Sequence, residues 1–205
     1  KIALAEPETF SGDRDFILNY RLAGDEIQSG LLLYEGQEEN FFLLMVQPPQ
    51  RVQSAEIPPR EYIFVVDISG SMNGFPLNTA KNLLRNLIGK LRNTDKFNMI
   101  LFAGGSQVME TASVPATPKD IDRAIQFIEK QRGGGGTELL AALRKGFALP
   151  RTETVSRSML IITDGYIGAE SDIFEEIQHH LNLTNVFSFG IGSSVNRYLI
   201  EGMAK

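Results

Sequence analysis

Tyr62-Ile63-Phe64-Val65-Val66-Asp67-Ile68-Ser69-Gly70-Ser71-Met72 runs from five apolar, β-prone residues straight into one carboxylate and two hydroxyls. The apolar run predicts a buried strand, and the serine–glycine turn after it predicts a strand end that leads toward a helix. The alternation Asp-x-Ser-x-Ser lets Asp67, Ser69 and Ser71 face one point where the backbone curls over the strand end, an arrangement suited to a hard divalent cation that takes oxygen ligands. Two further oxygen donors stand at long range. Thr137 follows the run Gly133 to Gly136, and Asp164 closes a second apolar stretch, Met159-Leu160-Ile161-Ile162-Thr163-Asp164. The expectation is that five donors from three chain segments meet at one edge of a sheet.

From Glu61 onward the pattern alternates strand and helix. Strand 61–67 precedes a helix near 76–91, in which Leu77, Ala80, Leu83, Leu84, Leu87, Ile88 and Leu91 recur at helical spacing. A strand over 96–103 with a hairpin arm at 106–111 comes next. A helix over 119–130 follows, entered by Thr117-Pro118 as cap and first turn. A helix from Thr137 to Leu149, a strand over 158–164, a helix over 171–181, a strand over 186–190 and a last helix from Val195 complete the series. Such alternation implies right-handed crossovers and an α/β fold of the Rossmann-like, doubly wound kind, a mostly parallel sheet with helices on both faces. Ligands of such sheets gather at the carboxyl ends of the strands, where Asp67 and Asp164 fall.

Before that α/β region the chain reads differently. Phe16 to Leu22, Leu31 to Tyr34 and Phe41 to Val46 read as strands, the last two as a hairpin across the polar turn Glu35 to Asn40. Paired prolines at Pro48-Pro49 and Pro58-Pro59 mark a linker. The division expected is a short β-rich segment over 1–50, a Pro-rich linker over 51–60 and an α/β domain over 61–205.

Composition narrows the function classes. The 205 residues are 42% hydrophobic and 22% charged, the balance of a globular chain. A formal charge of −5 gives no broad basic field for a phosphate backbone, which argues against nucleic acid. Cysteine is absent, so thiolate zinc sites, thiol nucleophiles and disulfides are excluded. No apolar stretch approaches the roughly 20 residues needed to cross a bilayer, so no direct membrane insertion is expected of this segment. The start at Lys1 and the end on Met203-Ala204-Lys205, within a helical pattern, read as a piece of a longer precursor.

Plainer readings compete at each motif. Asp67, Ser69 and Ser71 taken alone could cap the following helix, and Asp164-Gly165 could be a turn. Taken together they favour a metal, because two carboxylates converging at buried strand ends repel each other unless a cation intervenes. The glycine run is not a nucleotide loop, since Gly136-Thr137-Glu138 stands where such a loop needs lysine. His179 and His180 are neighbours that point apart, and the end of a helix explains them better than a metal does. Gly190-Ile191-Gly192 reads as a tight strand exit, and Phe187 and Phe189 as core. Met72, Asn73, Gly74 and Phe75 lie on the rim beyond the metal turn, as do Tyr166 and Ile167 beyond Asp164, and either packing or partner contact would account for them.

The combination of Asp67-Ile68-Ser69-Gly70-Ser71, Thr137 after glycines and Asp164-Gly165 resembles the metal-ion-dependent adhesion site (MIDAS) of von Willebrand factor type A domains. The finer pattern Phe64-Val65-Val66-Asp67-Ile68-Ser69-Gly70-Ser71-Met72, with Asp95-Lys96-Phe97-Asn98, is similar to the inter-alpha-trypsin inhibitor heavy chain branch. The resemblance implies that Ser69, Ser71 and Thr137 coordinate an ion through hydroxyls. Asp67 and Asp164 would bind it directly or through water. It also implies a six-stranded sheet with a short antiparallel edge, here truncated at its C-terminus, and residues 1–50 as the end of an inhibitor-type domain. The expected ion is magnesium, with calcium or manganese open. The expected function is not enzymatic: a cation-dependent adhesion or matrix-binding module, extracellular or in the cell envelope, whose metal takes an Asp or Glu carboxylate from a partner protein. The alternatives are a magnesium-dependent hydrolase or phosphotransferase with Asp67 as nucleophile, and an intracellular A domain assisting an ATPase in complex assembly.

Overall fold

A computed structural model describes residues 28–48, 57–152, 155–165, 167–168, 170–193 and 195–204. The chain divides into two compact units, Lys1–Ile57 and Pro58–Lys205. The expected strand Phe16–Leu22 and residues 51–56 of the expected linker lie outside the described residues.

In the first unit, β1 (Gln28–Glu35) and β2 (Asn40–Gln47) pair antiparallel, from Gln28 opposite Gln47 to Glu35 opposite Asn40. The turn closes through Gly36 N–H donating to the Glu39 carbonyl at 3.1 Å. Strand residues alternate between faces, yet Leu31, Leu32, Leu33, Phe41, Phe42, Leu43 and Leu44 are consecutive and all more than half exposed, so both faces of the hairpin are apolar. A two-stranded sheet is marginal alone.

The second unit is a six-stranded sheet. Its path runs β5 (Ser106–Val108), β4 (Lys96–Phe102), β3 (Arg60–Asp67), β7 (Ser156–Thr163), β8 (Thr184–Gly190), and β6 (Val114–Pro115) also pairs with β4. The four strands β4, β3, β7 and β8 are mutually parallel, while β5 and β6 run antiparallel on the outer side of β4. The hairpin arm is thus shorter than the expected 106–111. Strand β6 has only two residues, one a proline, too few to show as a periodic pattern. Arg60, placed in the linker by sequence, opens β3 because its N–H donates to the buried Asp95 carboxylate at 3.1 Å.

Two apolar layers sandwich the sheet. On one face α1 (Phe75–Ile88) and α2 (Pro118–Glu129) bury Leu77, Ala80, Leu84, Ile88, Ala124 and Ile128 against Phe64, Val66, Met99 and Leu101. On the other, α3 (Leu139–Phe147), α4 (Glu170–Gln178) and α5 (Arg197–Met203) cover Ile63, Val65, Ile100, Met159 and Ile161. The even and odd residues of β3 feed opposite layers, as a strand covered on both faces requires. Thr117 caps α2 by accepting the Asp120 N–H at 3.2 Å, as its sequence position predicts.

Phe187 and Phe189 are not core. They stand opposite Leu160 and Ile162, which places them on the α1–α2 side of the sheet, and they are 50% and 37% exposed. Helices α1 and α2 pack over β3 and β4 and leave the β8 side of that face uncovered among the described residues. The other face of β8 is engaged: Val186 joins the α3–α5 layer, and the Ser188 hydroxyl donates to the Ile200 carbonyl at 2.5 Å.

Polar side chains fix the amino-terminal edge of the sheet. Asp95, just before β4, accepts from Arg60 N–H, from Arg92 N–H at 3.0 Å and from the Arg92 guanidinium at 2.7 Å. Burial pushes the Asp95 carboxyl up, but these bonds together outweigh it and hold the group below the usual carboxylate range. Asn98, fully buried in β4, donates to the Glu110 carbonyl and accepts the Glu110 N–H, tying down the segment that follows β5.

Candidate metal centre

Strand order decides where the acids lie. From β3 the chain crosses by α1 to β4 on one side, and it later returns to place β7 on the other side of β3. The order therefore reverses between β3 and β7, and the carboxyl ends of those two strands border the crevice that a doubly wound sheet opens at such a point. Asp67 is the last residue of β3, and Asp164 directly follows β7. The register Val66 opposite Ile162 sets Asp67 beside Thr163.

Asp67 is fully buried, and both of its carboxylate oxygens are occupied. Oδ1 accepts the Ser69 N–H at 2.8 Å, and Oδ2 accepts the Thr163 hydroxyl at 2.6 Å. Burial pushes this carboxyl above the usual aspartate range, the hydrogen bonds from Ser69 and Thr163 oppose that shift, and the charge of Asp164 adds to it. Beyond Asp67 the Ile68 N–H continues the ladder onto the Phe102 carbonyl at 2.8 Å, so the strand end is held before the chain turns. A 3-10 turn over Gly70–Met72 then brings the hydroxyl oxygens of Ser69 and Ser71 to 3.1 Å from each other, with Ser69 buried and Ser71 exposed. Two oxygens that close, beside a buried carboxylate, are the kind of donors that could share one hard cation.

The glycine run brings in the third segment. Gly134 N–H donates to the Ile68 carbonyl at 2.9 Å, Gly70 N–H donates to the Gly135 carbonyl at 3.1 Å, and Glu138 N–H donates to the Ala103 carbonyl at 2.7 Å. Gly133 and Gly135 hold φ of 80° and 84°, and a Cβ on Gly133 would lie 3.1 Å from the Asn73 Cα. Only glycine combines that backbone with that approach. Thr137, half-buried, is therefore placed by main-chain bonds of its neighbours to the two loops that flank it. It precedes α3 and does not begin it: the helix starts at Leu139, because Glu138 stands as its N-cap with φ of −102° and ψ of 64°, outside the helical range, while its N–H, one of the donors a helix start leaves free, reaches Ala103. Lys81, on α1, donates from Nζ to the Glu129 and Gln131 carbonyls at 3.1 and 2.7 Å, tying the end of α2 to α1 just where the chain enters the glycines.

Asp164 is 8% exposed and is held through its main chain, its carbonyl accepting the Asn196 N–H at 3.2 Å. Gly165 turns the chain with φ of 76° and approaches Asn196 closely. The structure thus joins Asp67, Ser69 and Ser71 by direct bonds, couples Asp164 to Asp67 electrostatically and sets Thr137 at the same edge. Among the described residues no group of three or more His, Cys, Asp or Glu side chains could hold a metal ion. A cation here therefore depends on the hydroxyls. The donor chemistry fits one: hard oxygens for a hard ion, and two acids whose mutual repulsion and burial a positive charge would offset.

Thr163 is the residue that sequence reasoning missed. It reads as one more β-branched strand residue, and only the pairing of β3 with β7 shows that its buried hydroxyl orients Asp67 while accepting the Gly165 N–H at 2.9 Å. Thr163→Val keeps the shape and deletes both bonds, and is expected to weaken manganese or magnesium affinity by about 10- to 100-fold, as loss of a partner that orients a ligand does. Thr163→Ser should restore most of it, and calorimetric titration of the two variants checks the pair.

The remaining sequence motifs fall outside the centre. Helix α4 ends at Gln178, and His180 beyond it stacks on Phe147 of α3, ring centroids 4.1 Å apart, with Nε2 3.4 Å from Glu176. It bridges two helices and has no part in a metal face. Gly190 ends β8 where a Cβ would meet Val195 at 2.4 Å, which bears out the tight exit. Met72 is fully buried and Ile167 packs into the core, while Phe75 is 75% exposed; Tyr166 lies outside the described residues.

Residues 60–205 match the family described as von Willebrand factor type A domain. The chain belongs to the von Willebrand factor type A domain family. It is 31% identical to a von Willebrand factor A domain-containing protein of Dictyostelium discoideum over 71% of this chain and 16% of that protein. It is 26% identical to inter-alpha-trypsin inhibitor heavy chain H3 of Bos taurus over 93% of this chain and 22% of the relative. The chain thus spans a fifth or so of the length of these curated relatives. The solved structure of manganese-loaded TRAP protein from Plasmodium vivax shares the fold with a TM-score of 0.59, at 21% identity over 71% of this chain and 62% of that one. Members of this type A family generally serve as interaction modules, often with divalent metals. No helix among the described residues is long and apolar enough to cross a membrane.

Proposed function

We propose that this von Willebrand factor type A domain is a divalent-cation-dependent protein-binding module, used in adhesion or matrix contact, that takes a carboxylate from a partner protein. The observation behind this reading is the buried Asp67 beside the paired hydroxyls of Ser69 and Ser71, facing Asp164 at the point where strand order reverses. Ser69, Ser71 and Thr137 would hold the ion through hydroxyls, with Asp67 and Asp164 as its acidic ligands, directly or through water. Three of these five donors are neutral, so the two carboxylates no more than balance the ion's charge and leave it more electrophilic toward an incoming acid than an all-carboxylate shell would. When bound, magnesium would supply an electrophilic position for that acid, and calcium or manganese suits the same oxygens. The manganese-loaded relative supports the ion class. What weighs against a hydrolase with Asp67 as nucleophile is the commitment of both its oxygens to Ser69 and Thr163 and its complete burial. The likeness to an inhibitor heavy chain along 93% of this chain supports an extracellular or envelope setting, and supports residues 1–50 as the end of an inhibitor-type β domain.

Ion removal tests the reading. After stripping with chelator, magnesium at about 100 times its dissociation constant should stabilise the domain by about 2.7 kcal/mol at pH 7. The increment should shrink on acidification, because the Asp67 carboxyl is pushed above its ordinary 3.8 and its proton competes with the ion progressively as pH falls toward and below that raised value. N-acetyl-aspartate amide should bind only after the ion is restored. Equal binding with and without the ion would end the proposal.

A further inference from the structure

Resting on that reading, we propose that Phe75 is a second contact for the partner, so that the segment recognised is an acidic residue with a large apolar residue two to four positions away. Three large apolar side chains, Met72, Phe75 and Leu77, come within six residues after Ser71. Two of them, Met72 and Leu77, are buried, whereas Phe75 between them is 75% exposed. Within the segments that frame the acids, 67–75, 130–138 and 164–168, it is the one large apolar side chain so exposed among the described residues.

The backbone holds it there. Gly74 has φ of 79° with nothing within 4 Å of where a Cβ would stand, a conformation that other residues adopt with strain. Asn73 before it packs against Gly133 of the glycine loop. Pro76 after it restricts the residue it follows and stands in the first turn of α1. The Asn78 N–H donates to the Gly74 carbonyl and the Thr79 hydroxyl to the Phe75 carbonyl, fixing that turn. An aromatic side chain on a rigid base loses little freedom on contact, which is what makes such residues effective anchors.

Reach sets the spacing. Phe75 lies four residues beyond Ser71, so their Cα atoms are at most about 14 Å apart, and less because the chain turns between them. An extended partner whose acid meets the hydroxyl site covers that span in two to four residues at about 3.3 Å each. The charge of the site selects the acid, and the exposed ring selects what stands beside it.

The test uses the full 205-residue chain, labelled with nitrogen-15, and capped Gly/Ser octapeptides carrying a single Asp, with or without Leu two, three or four positions to either side. With magnesium, the Asp-only peptide should shift the Ser69–Ser71 resonances, and at least one Leu spacing should bind about 5- to 10-fold more tightly. Phe75→Ser should abolish that gain and leave Asp-only binding and manganese affinity unchanged, while Phe75→Leu should keep much of it. No gain at any spacing, a gain that survives Phe75→Ser, or a loss of manganese affinity in Phe75→Ser would overturn the proposal while leaving carboxylate capture standing. Absence of any magnesium-dependent shift from the Asp-only peptide would instead remove carboxylate capture, and the contact with it.

Discussion

Asp67→Asn is expected to lower magnesium and manganese affinity at least 100-fold and to abolish ion-dependent acid binding while the fold persists. The substitution keeps size and leaves an oxygen to accept the Ser69 N–H, so the turn over Gly70–Met72 retains its anchor. What disappears is the negative charge. With it goes one of two anions whose crowding a cation relieves, and Asp164 alone gives a divalent ion little reason to leave water. Without cation the variant should match or exceed the parent in stability at neutral pH, since a carboxylate that burial disfavours is gone. Titration calorimetry and chemical denaturation together decide it. A variant that still takes up manganese with parental affinity would show that Asp67 serves only as a cap.

The second large effect lies at the opposite end of the same strands. Glu61 on β3 and Arg157 on β7 are partners in register, both 2% exposed, and the guanidinium meets the carboxylate through two bonds of 2.8 and 3.0 Å. Arg157 also donates to the Leu149 and Pro150 carbonyls, and Glu61 accepts the Ser113 hydroxyl, so one pair ties the exit of α3 and the segment before β6 to the middle of the sheet. Glu61→Ala strands a buried guanidinium and should cost about 3–5 kcal/mol in urea unfolding. The double variant Glu61→Leu with Arg157→Met should recover most of that loss, because the expense lies in an uncompensated charge more than in absence of the pair. A loss under 1 kcal/mol for Glu61→Ala would mean that water reaches the guanidinium.

Much of this architecture was legible because its signals are local. The apolar runs ending in Asp67 and Asp164 announced two buried parallel strands, and Thr117-Pro118 announced the start of α2. What stayed hidden depends on which strand neighbours which. Thr163 acquires its role only when β7 lies beside β3, and Phe187 and Phe189 are exposed only because the helices of that face sit over β3 and β4. An apolar strand pattern does not record how far its covering helices extend. Thr137 lies at the sheet edge, as expected, but the helix assigned to it begins two residues later, since the main-chain bonds that dock the glycine run on Ile68, Gly70 and Ala103 hold Glu138 at φ of −102° and ψ of 64°, and sequence does not show such long-range bonds.

Lys81 gives the glycine run a property that its composition alone would not. Four successive glycines sample many backbone states, and ordering them is entropically expensive. The ammonium clasps the Glu129 and Gln131 carbonyls, just ahead of that run, from α1, so the chain enters the glycines from a fixed point. The path by which the chain reaches the threonine is thus fixed partly by an amine that touches none of the acids and acts through the Glu129 and Gln131 carbonyls alone.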